Sequence, residues 1–234
     1  MLCLIPAKGN SSRLPMKNIL PIDGKPLLQH VIEKAKSSKV FLDICVSTEN
    51  DDIAELALNL KVNEVITRPK RLSVDPATVI DVMIHALGAL KESGKSYDYI
   101  CTLLPTSPLL KVSDIVKASN LFLKDSGKVL LSVTQTDYPP YNAYLIDSDT
   151  NLLEPCFPDS DFKYSKSTEC PLTYKCNGMI LITDVKRLIK NGTYRNQKII
   201  PFIIPQDRSI DIDTKIEYLF AKFLIESKYS KAKL

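Results

Sequence analysis

The feature that most constrains the fold of this chain is a regular alternation between short apolar runs and longer amphipathic segments. The short runs are typical of buried strands, and the longer segments repeat apolar residues at helical spacing. The predicted strands are Met1–Pro6, Val40–Val46, Val62–Ile66, Tyr99–Leu104 and Val129–Val133. The predicted helices are Pro26–Ser37, Asp51–Leu60, Ala77–Ser93 and Val112–Lys124. Strands that alternate with helices predict βαβ units, and therefore an α/β fold with a mainly parallel sheet covered on both faces.

The alternation breaks once, over Tyr138–Lys175. This segment is rich in Pro, Asp, Ser and Tyr and contains no long helical pattern, so we interpret it as an insertion that carries a hairpin. The pattern resumes in two apolar runs, a final helix and a basic tail: Met179–Ile182, Ile199–Ile204, Ile216–Ser227 and Lys228–Leu234. A length of 234 residues predicts a single domain, 1–234, that includes this insertion.

Composition and charge restrict the partners and the compartment. The chain has 31 Lys+Arg and 27 Asp+Glu, a net charge of +4, which fits an anionic ligand but is too weak to indicate nucleic acid. No run approaches the roughly 18 apolar residues of a membrane span, and the first residues lack the features of a signal peptide. We therefore expect a cytoplasmic protein that binds neither nucleic acid nor a membrane. Cys3, Cys45 and Cys101 each lie in a strand-like run, where we expect buried free thiols.

The strongest chemical signal is the loop after the first predicted strand, which reads IPAKGNSSRLPMKN over residues 5–18. A small loop with glycine after a strand presents backbone N–H groups that suit phosphate. Lys8, Arg13 and Lys17 add three cations, and such a set suits a triphosphate. The loop has neither the Walker A pattern nor a dinucleotide fingerprint. The alternative interpretation is a solvated basic loop.

Two later segments strengthen the case for a binding site. LPTSPL, residues 104–109, directly follows a predicted strand, at the end of the sheet where open α/β folds bind their ligands. In RSIDIDT, residues 208–214, Asp211 and Asp213 alternate in an extended stretch and so share one face. Paired carboxylates suit Mg²⁺, which commonly uses one or two carboxylates together with substrate phosphates. For Asp213 the rival interpretation is a cap on the helix that follows.

The ordered set of motifs resembles a known family. IPAKGNSSRLPMKN, DGKPLLQHVIE, RPKRLSVDPATVIDVMIHAL, LLPTSPL, NGMILI and RSIDIDT follow one another from Ile5 to about Leu224. Together they resemble the acylneuraminate cytidylyltransferases, or CMP–sialic acid synthetases. They also resemble the relatives that activate legionaminic or pseudaminic acid and, more distantly, the CMP-Kdo synthetases.

The resemblance implies a fold, a reaction and partners. The fold is a Rossmann-like nucleotidyltransferase domain with a mixed, mostly parallel sheet and a small dimerisation insertion at about 138–175. The implied reaction transfers CMP from CTP to the anomeric hydroxyl of a nine-carbon 2-keto acid of the nonulosonic (sialic-acid-like) class, releases pyrophosphate and uses Mg²⁺. The implied assembly is a homodimer in which the partner's insertion closes over the sugar site.

The resemblance also assigns residues to three groups. The nucleotide-binding group is Lys8, Asn10, Ser11, Arg13, Asn18, Arg68 and Thr78. The catalytic group is Lys17, Asp211 and Asp213, of which the two aspartates would also hold the metal. The sugar-binding group is Leu104, Thr106, Asn177 and Leu181.

Three positions depart from the family pattern. Lys8 stands where an arginine is usual, Leu104 where a glutamine is usual and Leu181 where a tyrosine is frequent. The last two belong to the sugar side, so we expect a modified nonulosonic acid with more apolar surface, such as a deoxygenated di-N-acyl sugar. Two alternatives stay open: another nucleotide-sugar enzyme (of CMP-Kdo synthetase or glycosyltransferase type), or a non-catalytic nucleotide-binding module.

Overall fold

The computed structural model of the chain describes residues 1–11, 13–125 and 129–227. The strands are β1 (Leu2–Pro6), β2 (Pro21–Ile22), β3 (Lys25–Pro26), β4 (Asp43–Thr48), β5 (Glu64–Thr67), β6 (Tyr99–Leu103), β7 (Val129–Gln135), β8 (Tyr144–Ile146), β9 (Leu153–Pro155), β10 (Tyr174–Asp184) and β11 (Ile199–Ile203). The helices are α1 (Leu27–Ser38), α2 (Asp51–Asn59), α3 (Val79–Glu92), α4 (Val112–Lys124), α5 (Val185–Asn191) and α6 (Lys215–Glu226).

Seven strands form one central sheet, in the order β11-β7-β10-β6-β1-β4-β5. Each neighbouring pair is parallel except those of β10, which runs antiparallel to both β6 and β7. The sheet is therefore mixed and mostly parallel, as predicted. Because β1, β4, β5 and β6 run in the same direction, their carboxyl ends meet at one edge of the sheet.

Helices cover both faces of this sheet. One face packs against α1, α2 and α4, and its core includes Val31, Ile53 and Phe122. The other face packs against α3 and α5, where Met83 and Leu188 are fully buried. This arrangement follows from the sequence pattern, since strands buried on both faces are apolar throughout and each helix has one apolar stripe. The predicted α/β architecture with a doubly covered sheet is confirmed.

The structure differs from the sequence-based prediction around β10. This strand begins at Tyr174, so the end of the predicted insertion already belongs to the central sheet. The helix α5 that follows was not predicted, because its seven residues span only two turns. Its ends nevertheless have ordinary signals: the Asp184 side chain accepts a hydrogen bond from Arg187 N–H, and Gly192 ends the helix with a φ of 60°.

The insertion carries a short hairpin, as predicted, in which Tyr144 pairs with Pro155 and Ile146 with Leu153. The final helix α6 packs with β2 and β3 around Ile22 and Ala221. The predicted basic tail, Lys228–Leu234, lies outside the described residues.

The six cysteines are free, and the three in strand-like runs are buried in β1, β4 and β6, as predicted. In the part of the chain that the structure describes, no helix combines the length and the apolar character needed to cross a membrane.

Candidate functional site

A cavity of about 200 Å³ opens at the edge where the parallel strands end. Its walls come from the loop after β1, the segment after β5, the start of α3, the loop after β6 and the segment before α6. The lining residues named in the sequence analysis are Lys8, Lys17, Asn18, Arg68, Thr78, Leu104, Thr106, Asp211 and Asp213. Residues separated by up to about two hundred positions in the chain thus share one site.

The loop after β1 is closed on itself and held from both sides. Met16 N–H donates to the Gly9 carbonyl at 3.2 Å, and the Asn18 side chain donates to the Lys8 carbonyl at 2.8 Å. Gly9 lies against Asn50, so that a Cβ on Gly9 would stand 2.7 Å from the Asn50 Cβ. The absence of a side chain at Gly9 therefore lets the loop approach the start of α2.

Lys17 is the buried cation of the site. Its ammonium donates to Asp213 Oδ1 at 2.7 Å and to the Ile212 carbonyl at 3.0 Å, and its side chain is 10% exposed. Arg13 pairs with the other oxygen of Asp213 from the exposed rim. Burial acts to raise the pKa of Asp213, but Lys17 and Arg13 outweigh it and hold that pKa below its ordinary value. This carboxylate stays ionised and neutralised by two cations.

Asp211 is in a different environment, although it is only two residues away. Burial raises its pKa above the ordinary value, and Asp213 adds to the rise, while the Thr106 side-chain hydrogen bond and Lys17 act in the other direction. Ile212 N–H donates to the Thr106 carbonyl at 2.9 Å, which fixes the aspartate segment against the loop after β6. Asp211 Oδ1 is buried and has no hydrogen-bond partner among the described residues.

This unpaired oxygen of Asp211 shows whether the residues of the site fit a metal ion. Buried carboxylate oxygens in proteins are nearly always paired, and a hard cation with oxygen ligands is one way to pair them. Asp211 therefore fits Mg²⁺ better than Asp213, whose two oxygens already face Lys17 and Arg13. The described residues contain no cluster of three or more His, Cys, Asp or Glu side chains that could hold a metal by themselves. A cation bound by these carboxylates would therefore also need oxygen ligands from a substrate.

The opposite wall of the cavity is built around Arg68, a guanidinium that is almost fully buried. Glu49 pairs with it, with Arg68 Nε donating to Glu49 Oε2 at 3.0 Å. Apolar residues lie beside this pair along the cavity wall: Leu72, Val74, Ala77, Val79 and Val82. Thr78 caps α3, because its hydroxyl accepts from Asp81 N–H while Asp81 accepts from Thr78 N–H. This end is more apolar than the end around Lys17 and the aspartates.

Five of the predicted site residues do not line the cavity. Arg13 reaches Asp213 from the rim, Asn10 lies on the exposed side of the loop, and Ser11 is buried beside it. Leu181 is buried in the core between the sheet and α3, because the alternation of β10 turns it to that face. The prediction that Leu181 contacts the sugar therefore has no support in its position.

Asn177 is the fifth predicted site residue that does not line the cavity, and its side chain makes hydrogen bonds to other residues. Its Oδ1 accepts from the Ser132 hydroxyl at 2.5 Å, and its Nδ2 donates to the Ser209 hydroxyl at 2.6 Å. Since Ser209 precedes Asp211 by two residues, Asn177 ties the aspartate segment to the sheet. Asn177 thus acts through Ser209, two residues before Asp211, rather than lining the cavity itself.

Sequence reasoning missed several supporting residues. Glu49 pairs with Arg68 and accepts a hydrogen bond from the Ser73 hydroxyl, and Arg208 forms an ion pair with Asp114 at the start of α4. Gly178 has a φ of 70°, and a Cβ there would lie 3.0 Å from Leu104 Cδ1. For Glu49 and Gly178 a weak signal existed: Glu49 is a polar residue directly after a strand, and Gly178 stands inside one.

Comparisons with known proteins agree with this geometry. Residues 2–203 match the family described as cytidylyltransferase. A pseudaminic acid cytidylyltransferase of Campylobacter jejuni is 30% identical over 231 residues, which cover 99% of this chain and 98% of that protein. A CMP-N,N'-diacetyllegionaminic acid synthase of Legionella pneumophila is 33% identical over 228 residues, which cover 97% of this chain and 96% of that protein.

The fold has a solved counterpart as well. The structure of a CMP:2-keto-3-deoxy-manno-octonic acid synthetase complexed with CTP superposes with a TM-score of 0.70. The match covers 97% of this chain and 98% of that chain, at 18% sequence identity. At that identity the likeness concerns the fold, which is a Rossmann-like α/β domain in both.

Proposed function

This chain belongs to the cytidylyltransferase family, and we propose that it transfers CMP from CTP to the anomeric hydroxyl of a nonulosonic acid and releases pyrophosphate. It is a nucleotidyltransferase by membership of that family. The observation that carries the proposal is one cavity lined both by buried Lys17 with the paired aspartates and by buried Arg68 with apolar side chains. The first group of residues suits phosphates, and the second suits a nucleobase.

In the proposed reaction the sugar hydroxyl gives its proton to one of the two aspartates and attacks the α-phosphorus of CTP, the bond to the β-phosphate breaks, and pyrophosphate leaves. Negative charge grows on the departing pyrophosphate. Lys17 and Arg13 stand where this charge can be offset by fixed cations, which stabilises a transition state more than the ground state. Arg68 lies at the apolar end and would donate to the acceptor atoms of the base.

We further propose that Mg²⁺ assists this reaction, held by Asp211 and, once a cation moves off it, by Asp213. When bound, the ion would offset phosphate charge and orient the triphosphate. Thr106 contributes by keeping the Asp211 carboxylate in place. Because CTP is a cytoplasmic nucleotide, the proposed reaction belongs in the cytoplasm.

The class of sugar is the finer part of the proposal. Leu104 lines the cavity and places an apolar side chain where a sugar would lie beside the nucleotide. Two relatives of this chain carry names that refer to pseudaminic and legionaminic acid. We therefore propose a deoxygenated di-N-acyl nonulosonic acid as the natural acceptor, in preference to N-acetylneuraminic acid.

Pyrophosphate release from CTP in the presence of Mg²⁺ tests the activity directly. We expect release with CTP and pseudaminic or legionaminic acid, slower release with N-acetylneuraminic acid, and little with UTP, ATP or GTP. A buried hydroxyl left unpaired against Leu104 costs roughly 1–3 kcal/mol, which corresponds to roughly a 5- to 150-fold preference. Preference for N-acetylneuraminic acid would contradict the sugar assignment. Release with Kdo alone would favour the other nucleotide-sugar class.

We also propose that the protein works as a homodimer through the insertion. Large apolar and aromatic side chains are exposed there, among them Tyr138, Leu145, Ile146, Leu153 and Tyr164. Exposed apolar patches of this kind mark interaction surfaces. Sedimentation equilibrium should give twice the chain mass of 26.2 kDa. Ile146→Asp together with Leu153→Asp should shift the protein towards the monomer. Leu58→Asp, which places the same charge at an exposed position of α2, should not.

A further inference from the structure

Four hydrogen-bond donors from two segments, the loop after β1 and the segment after β5, converge on the carboxylate of Glu49. Oε1 accepts from Gly9 N–H at 2.8 Å and from Asn10 N–H at 3.3 Å, both in the loop after β1. Oε2 accepts from the Ser73 hydroxyl at 2.6 Å and from Arg68 Nε at 3.0 Å. Glu49 itself follows the end of β4, so this one side chain joins two walls of the cavity.

Burial makes this pairing necessary. The Arg68 side chain is 3% exposed and the Glu49 side chain 10% exposed. A buried guanidinium without a counter-charge is strongly unfavourable, so Arg68 keeps its place only while a carboxylate accompanies it. Burial acts to raise the pKa of Glu49, but Ser73 and Arg68 outweigh it and lower that pKa, which keeps the carboxylate ionised near neutral pH.

The same contacts explain why Arg68 is not a free phosphate ligand. Its charge is already neutralised by Glu49, whereas Lys8 lines the cavity and forms no salt bridge within the described part of the chain. What Arg68 can still offer to a ligand is its remaining N–H groups, in directions that Glu49 determines. Since Glu49 also holds the loop after β1, the base-facing wall and the phosphate-facing loop are joined before any ligand arrives.

We propose that Glu49 is a positioning residue for the nucleotide: it holds Arg68 and the loop after β1 in their binding arrangement in the free protein. This inference rests on the proposed function for the identity of the ligand, CTP. It does not rest on it for the arrangement of Arg68 and the loop. Such pre-organisation lowers the cost of ordering these groups when the nucleotide binds.

Two readouts on the full chain test the proposal. The first is the dissociation constant for CTP by calorimetry, and the second is the rate at which phenylglyoxal modifies Arg68 in the free protein, followed by mass spectrometry. The variants are Glu49→Gln, Arg68→Gln, their combination, and Glu49→Asp, which keeps the charge but is one methylene shorter. Glu55→Gln, the same chemical change on the exposed side of α2, is the matched control.

We expect E49Q to weaken CTP binding by roughly 10- to 100-fold, the usual loss for a hydrogen bond to a charged group. Phenylglyoxal should modify Arg68 several times faster in E49Q than in the wild type or E55Q. In E49D, Arg68 should keep most of its protection from modification. The combined variant should lose less CTP affinity than the sum of the two single losses, because Glu49 would act partly through Arg68 and partly through the loop after β1.

Three results would overturn the inference. These are unchanged CTP affinity and Arg68 reactivity in E49Q, additive losses in the combined variant, or Arg68 in E49D as reactive as in E49Q. If E49Q fails to fold, Arg68 reactivity in E49D is compared with that in the wild type instead. Loss of most of the Arg68 protection in E49D would then overturn the inference. If the wild type does not bind CTP but Arg68 becomes reactive in E49Q, the positioning role stands and the proposed nucleotide is wrong.

Discussion

Asp211→Asn is expected to lower the rate of pyrophosphate release by about 10²- to 10³-fold at saturating CTP and sugar, the scale on which electrostatic groups act in catalysis. The substitution keeps the shape and the Thr106 contact but removes the charge of a carboxylate whose Oδ1 has no partner among the described residues. Rates measured over a series of Mg²⁺ concentrations should show that more Mg²⁺ is needed. Folding should be unharmed, because burial makes this charge unfavourable in the free protein.

That separation between activity and stability is the critical part of the result. Asp207→Asn makes the same chemical change four residues earlier, at an exposed position, and should leave both quantities unaltered. A large fall in the melting temperature of D211N would indicate a structural role for Asp211. Full activity with normal Mg²⁺ dependence would remove Asp211 from the site.

Lys17→Met is expected to lower kcat by about 10³-fold and to destabilise the fold by about 1–3 kcal/mol. Methionine fills most of the same space, but the buried ammonium no longer donates to Asp213 and to the Ile212 carbonyl. The loss should appear in kcat more than in KM, because the cation acts on charge that develops as pyrophosphate leaves. Steady-state kinetics and chemical denaturation give the two numbers.

Lys91→Met is the matched control, since Lys91 is exposed on the last turn of α3, whereas the cavity is lined by the start of that helix. It should change neither kcat nor the free energy of unfolding by a measurable amount. A K17M protein that folds and retains normal kcat would exclude Lys17 from the reaction. A loss confined to KM would make it a ligand for the ground state alone.

The architecture was predictable because the spacing of apolar residues matches the period of the helix or strand that forms along most of the chain. The helix α3, for example, presents Val82, Met83, Ala86 and Leu90 on one stripe and begins at a threonine cap. The start of β10 was not predictable in this way. Tyr174 and Lys175 are exposed and follow a proline-rich segment, and their strand conformation comes from pairing with Gln135 and Thr134 of β7.

The site was predictable to the extent that polar residues directly follow strands. Arg68 directly follows β5 and Thr106 lies shortly after β6, whereas Lys17 and Asp211 lie further along the segments that follow β1 and β11. The position of Leu181 was not predictable from its own segment, since MILI is apolar on both faces and alternation gives no sign of which face a residue takes. The partners of Glu49 depend on a contact between residues forty positions apart, which no local pattern encodes.

The place of β10 in the sheet also sets an order of assembly during synthesis. β5, β4, β1 and β6 are neighbours in the sheet and emerge from the ribosome within the first 103 residues, whereas β7 pairs only with β10 and β11 in the described sheet. The backbone N–H and C=O groups of β7 can pair only after residues 174–203 have been translated. Asp211 and Asp213 are translated after those residues. A prematurely terminated product that ends before them keeps the basic loop and Arg68 but lacks the acidic pair. The proposed catalytic aspartates are therefore translated only after the scaffold that must hold them.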